Sequence, residues 1–136
     1  MMKRSGLAAL LFISLSFSNC KKNSSSSTPE TDKPGNIDIT TPVAGTIYDN
    51  GFVLKTEGGI NDDNGVTTAK VEIRNKTTGA VLFQQTSAAG NITLYHFLWN
   101  WTVSGITGTF TATVKVTAID RLSNQIFKEV DVTLSN

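Results

Sequence analysis

The chain is poor in the side chains that catalysis and transition-metal binding rely on. It contains one histidine, His96, and one cysteine, Cys20, in 136 residues. A zinc site needs three or four His, Cys or carboxylate ligands, and this inventory does not supply a typical one. A Ser-His-Asp triad would have to use His96, which sits within Tyr95-His96-Phe97 in a strand-like run and not beside a nucleophile elbow. A small hydrolase using His96 is therefore the weakest of the functional readings. A single cysteine also rules out an intramolecular disulfide, so an apolar core must supply the stability. The longest apolar run, Leu7 to Phe17, is too short for a spanning helix. The formal net charge is +1 and becomes −1 without Lys3 and Arg4. The folded part holds no basic cluster, so there is no electrostatic case for a nucleic-acid partner and none is expected.

Lys3 and Arg4, the run from Leu7 to Phe17 and the pair Ser18-Asn19 form a secretory leader. Cys20 follows directly. Phe17-Ser18-Asn19-Cys20 resembles the lipobox of bacterial lipoproteins, in the loose form typical of Bacteroidetes. That resemblance implies acylation of Cys20 as the first mature residue and attachment to the membrane through lipid, with the cell envelope, and the outer membrane of a Gram-negative bacterium, as the address. Residues 1–19 are then a signal peptide, 20–35 the acylated cysteine with a Ser-rich tether, and 36–136 one domain. From Lys21 to Gly35 no large apolar residue occurs, so this stretch cannot bury a core. About 15 such residues span roughly 20–25 Å.

From Ile37 onward the apolar pattern has period two. Phe110, Ala112, Val114, Val116 and Ala118 alternate with threonines and Lys115, and Ile126, Val130, Val132 and Leu134 share a face interrupted only by Lys128. Such alternation marks half-buried strands, and no window sustains a helical period. Seven strands are expected near 37–40, 52–59, 66–75, 80–87, 92–101, 108–119 and 126–134. Turn signals separate them, notably Asp62-Asp63-Asn64-Gly65 and Ala88 to Asn91. The fold class is all-β, an immunoglobulin-like antiparallel sandwich of about seven strands, with a small closed barrel as competitor.

Ile39-Thr40-Thr41-Pro42, Gly45 to Gly51, Asp62 to Gly65 with Ala69 to Asn75, and Gly108 to Asp120 resemble bacterial Ig-like and cadherin-like modules over roughly residues 37–134. The resemblance implies an extracytoplasmic module of a class found in adhesion, glycan handling and surface assembly. It identifies no ligand.

Two groups of residues are candidates for a site. Asp62, Asp63 and Asp120, with Asn64 and Asn124, fall at one pole of an Ig-type chain path, where hard oxygen ligands suit calcium. The competing and preferred reading is that these residues shape turns and that no cofactor is bound. The second group is aromatic. Tyr95, Phe97, Trp99 and Trp101 share one face of a strand, with Leu94, His96, Leu98 and Asn100 on the other. Facing inward, the rings are core. Facing outward, Tyr95, Trp99 and Trp101 form a platform for a glycan or an envelope protein. A bulge near Asn100 that turns Trp101 alone outward is a third arrangement.

Overall fold

The computed structural model describes Lys33 and residues 35–136; Cys20, the leader and nearly all of the tether lie outside the described residues. Six strands occur: β1 (Asn36–Thr41), β2 (Ile47–Asp49), β3 (Val53–Asn75), β4 (Val81–Thr102), β5 (Phe110–Asp120) and β6 (Gln125–Ser135). No helix is present among the described residues. The fold is an Ig-like β-sandwich. The strand path β1-β3-β5-β6-β2, with β4 beside β3, has free ends and does not close into a barrel.

Two strands are far longer than alternation suggested. The expected strands 52–59 and 66–75 are one continuous β3, and 80–87 and 92–101 are one continuous β4. Each serves both layers. Residues 57–61 of β3 pair with β1 on one side, and residues 53–61 pair with 94–102 of β4 on the other. Residues 66–75 of β3 pair with 81–92 of β4 and with β5. Asp62 to Gly65 and Ala88 to Asn91, expected as turns, are instead bulges along this antiparallel ribbon. Between Asn61↔Leu94 and Val66↔Ile92 the surplus residues lie on β3; between Val66↔Ile92 and Thr68↔Ala88 they lie on β4. Gly65 (φ +85°), Gly90 (φ +76°) and Asn91 (φ +61°) take left-handed backbone conformations there. The two bulges nest. A Cβ on Gly65 would stand 2.7 Å from Asn91 Oδ1 and 3.1 Å from Asn91 O.

The bulge also switches the buried face. Leu54, Thr56, Gly58 and Ile60 point inward before it, and Ala69, Val71 and Ile73 after it. These meet Val114, Val116, Val132 and Leu134 from β5 and β6 in one core. The short β2 had no signal in the alternation pattern, and it pairs with β6 in parallel, an exception to the antiparallel expectation. Lys128, the polar interruption on β6, approaches Asp38 of β1 to 3.6 Å.

The adjacent glycines of β3 do different work. At Gly58 an added Cβ would lie 1.9 Å from the Asp38 carbonyl oxygen and 2.6 Å from the Phe97 ring. This position requires the close approach that only glycine permits. At Gly59, on the outward face, the nearest atom would be 3.8 Å away. Gly58→Ala is expected to destabilise the domain by about 1–3 kcal/mol or more, as overpacking does. Gly59→Ala should leave the midpoint of a chemical denaturation curve nearly unchanged. Equal effects at the two positions would mean that the pleat has been assigned the wrong way round.

Candidate functional site

The aromatic strand faces inward. Phe97 and Trp99 are only 2% and 3% exposed, while Tyr95 and Trp101 are half-buried against the same core. The rings are ordered in stacks: Phe97 on Trp99 with centroids 4.9 Å apart, and Trp101 on Phe83 at 5.9 Å. The Trp99 indole N–H donates to Ser87 Oγ at 3.1 Å, which satisfies its one polar group. Room for four rings comes from small neighbours. Phe97 and Trp99 pair with Gly58 and Thr56 on β3, and Ser87 sits across from Trp99 on the other reach of β4. The outward platform of Tyr95, Trp99 and Trp101 is therefore not formed. Trp99 is core, and no bulge at Asn100 interrupts the register from Val53↔Thr102 to Asn61↔Leu94.

What faces outward is the opposite side of the same strand. Leu94 is 54% and Leu98 56% exposed, with His96 between them. Across the first layer lie Glu57, Gly59 and Asn61 on β3, then Asn36, Asp38 and Thr40 on β1. Gly59 carries no side chain, so a groove of about 430 Å³ opens over it. The His96 ring leans toward Gly59, with Nδ1 3.8 Å from where a Cβ would be. Thr40 contributes the only hydroxyl among the described residues lining the groove, which include no serine. The arrangement therefore gives His96 no serine to activate among the described residues of the groove. The sequence reading missed this groove; the adjacent Gly58 and Gly59 are the signal that could have found it, since glycine inside a strand marks close approach or open space.

The acidic pole is assembled in part. Asp62 and Asp120 are buried and line one shallow pocket with Asn124, Lys33 and Gly35, whereas Asp63 points to solvent on the other side of the strand. Both carboxylates are engaged by amides. Asp62 Oδ1 accepts the Asn64 N–H at 2.9 Å. Asp120 Oδ1 accepts the Asn124 N–H at 2.7 Å, and its Oδ2 accepts the Asn124 side-chain amide at 2.9 Å. Burial pushes the Asp120 carboxyl up, but the donors from Asn124, Leu122 and Asn64 outweigh it and hold the group below its ordinary value. Ser123 supplies the turn with a left-handed backbone (φ +69°). Among the described residues no group of three or more His, Cys, Asp or Glu could hold a metal. Calcium is expected to leave the melting temperature unchanged. A saturable stabilisation that disappears in Asp120→Ala would contradict this.

On the outer face of the second layer, Glu72 is nearly buried between two cations. It pairs with Arg74 and, at 3.0 Å, with Lys70. The Arg74 hydrogen bond, opposed by burial and aided by Lys70, lowers the Glu72 carboxyl to about 2 from an ordinary value near 4.5. Asp131 is lowered in the same way by Lys76 and Thr113. A carboxylate more acidic in the folded state stabilises above its unfolded pKa, and the gain is lost as pH falls through the folded value. The melting temperature should therefore fall between about pH 4.5 and pH 2. Glu72→Gln should melt lower at neutral pH and lose part of that acid slope. Parallel wild-type and variant curves would remove Glu72 from the account.

No family model matches the sequence, and a search of curated proteins gives no match. Among solved structures, the chain is similar to the fibronectin(III)-like modules of Clostridium thermocellum CbhA, with 19% identity, a TM-score of 0.47, and 73% of this chain and 94% of that chain covered. It is also similar to CopC from Methylosinus trichosporium OB3b, with 12% identity, a TM-score of 0.45, and 74% and 94% covered.

Proposed function

We propose that this chain is a non-catalytic, lipid-anchored module of the cell envelope, held by acyl chains on Cys20 in the outer membrane of a Gram-negative bacterium. Its sandwich serves in binding or as a structural, adhesive element, and the reading needs no cofactor. The observation that carries it is the outward side of the first layer, where Leu94 and Leu98 stand exposed beside a polar groove. An exposed aliphatic pair next to hydrogen-bonding groups is the make-up of a recognition surface. An envelope protein is the partner this surface suits best.

A glycan is the second reading. The groove places Asn36, Asp38, Glu57 and Asn61 around an apolar wall, an arrangement that can hydrogen-bond sugar hydroxyls while covering a ring face. Such a ligand would use this groove and not Trp99, which lies in the core.

Anchoring is tested by fractionation. The wild-type protein should partition with membranes and Cys20→Ser should move to the soluble fraction, since acyl chains are the only membrane attachment this reading supplies. Mass analysis of the native mature N-terminus should show acyl chains on Cys20. Membrane retention of the variant, or an unmodified cysteine, would end the lipoprotein reading.

A further inference from the structure

The edges of a β-sheet carry backbone N–H and C=O groups that can pair with another strand, and folded proteins usually guard them with charge, proline, bulges or brevity. Two edges here are guarded in that way. β2 has three residues. β1 has six, shifts register between Ile39 and Thr41, and runs into Pro42. β4 is different. It is 22 residues long and, among the described residues, pairs only with β3. Val81 to Thr102 contains no Lys, Arg, Asp, Glu or Pro. After its bulge at Gly90-Asn91, the stretch from Ile92 to Thr102 runs on without interruption, and Ile92, Leu94 and Leu98 are 45%, 54% and 56% exposed on it. The earlier half carries polar Gln84 and Thr86 in the equivalent outward positions.

We propose that the free edge of β4 around His96 pairs antiparallel with the same edge of a second copy, joining two three-stranded layers into one six-stranded sheet. The partner is a strand because the unmet groups are backbone donors and acceptors in register. It is a second copy because the edge is complementary to itself. With a two-fold axis at His96, Leu94 of each copy lies opposite Leu98 of the other, and Ile92 lies opposite Asn100. Directly opposed residues on one face of an antiparallel pair are those that interact, and this register gives two aliphatic pairs and no like-charge pair. The absence of formal charge along the edge leaves nothing to steer or orient an acidic or basic foreign strand.

Sedimentation velocity on the chain from residue 20 onward, carrying Cys20→Ser, tests the pairing. The protein is expected to show a concentration-dependent monomer–dimer equilibrium. Leu98→Lys and Leu94→Glu, at exposed positions, should each abolish the dimer while leaving the far-ultraviolet circular dichroism unchanged. The two substitutions together should restore it, because in this register each new lysine faces a new glutamate of the other copy. In the same cysteine-free background, His96→Cys should form a disulfide-linked dimer on mild oxidation, since opposed residues stand about 4.5–5.5 Å apart at Cα. Asn100→Cys, opposite Ile92, should not. A monomer at every concentration, including one that instead captures an unrelated extended peptide, overturns the proposal. So does a double variant no better than its singles, or equal cross-linking at positions 96 and 100.

Discussion

Gly65 and the Gly90-Asn91 pair let one antiparallel ribbon leave the first layer and enter the second without breaking. Most of the structure depends on that passage. β1 finds its partner on the part of β3 before the bulge and β5 on the part after it. Where most sandwiches turn the chain around between layers, this one bends two strands together, and the nested surplus residues keep both ladders paired. The switch of buried face from Ile60 to Ala69 follows from the same surplus, since an odd insertion reverses the pleat. Asp62 and Asn64 are buried because they lie within the bend, and Asp62 then caps the Asn64 amide.

The rings of β4 show how residues distant in sequence decide which way a strand faces. Both sides of Leu94 to Trp101 carry large apolar residues, the rings on one and Leu94 and Leu98 beside His96 and Asn100 on the other, so an apolar pattern alone does not choose between them. Gly58 and Thr56 beside the rings, and Ser87 at the Trp99 indole, make the inward position roomy and satisfy its one donor. Leu94 and Leu98 are left outside as the remainder of that choice. The exposed leucine pair is thus a by-product of where small residues fall on β3.

Regular alternation made β5 and β6 legible, because each uses one face for the core throughout. The continuity of β3 and β4 was not legible, for a physical reason. Asp-Asp-Asn-Gly and Ala-Ala-Gly-Asn supply positive φ and local amide caps, which a reversing turn and a bulge both require. β2 is too short to show a period. The proximity of Asp62 to Asp120 was legible from the chain path, whereas Asp63 was carried to solvent by the alternation of its own strand. Orientation of the aromatic strand needed knowledge of its neighbours, and the groove over Gly59 was marked in the sequence only by two adjacent glycines.

The placement of β3 between β1 and β4 has a mechanical consequence. β1 and β4 both run antiparallel to β3, hence parallel to each other, within one layer. A pull that enters at Asn36 and leaves through the edge of β4 crosses two hydrogen-bonded ladders side by side and never has to pass through the apolar interior. The second layer, with β5 and β6, stands outside that line of force. Both layers share one core, so such a load is borne by the backbone ladders of the first layer while the packing that the second layer completes lies beside its path.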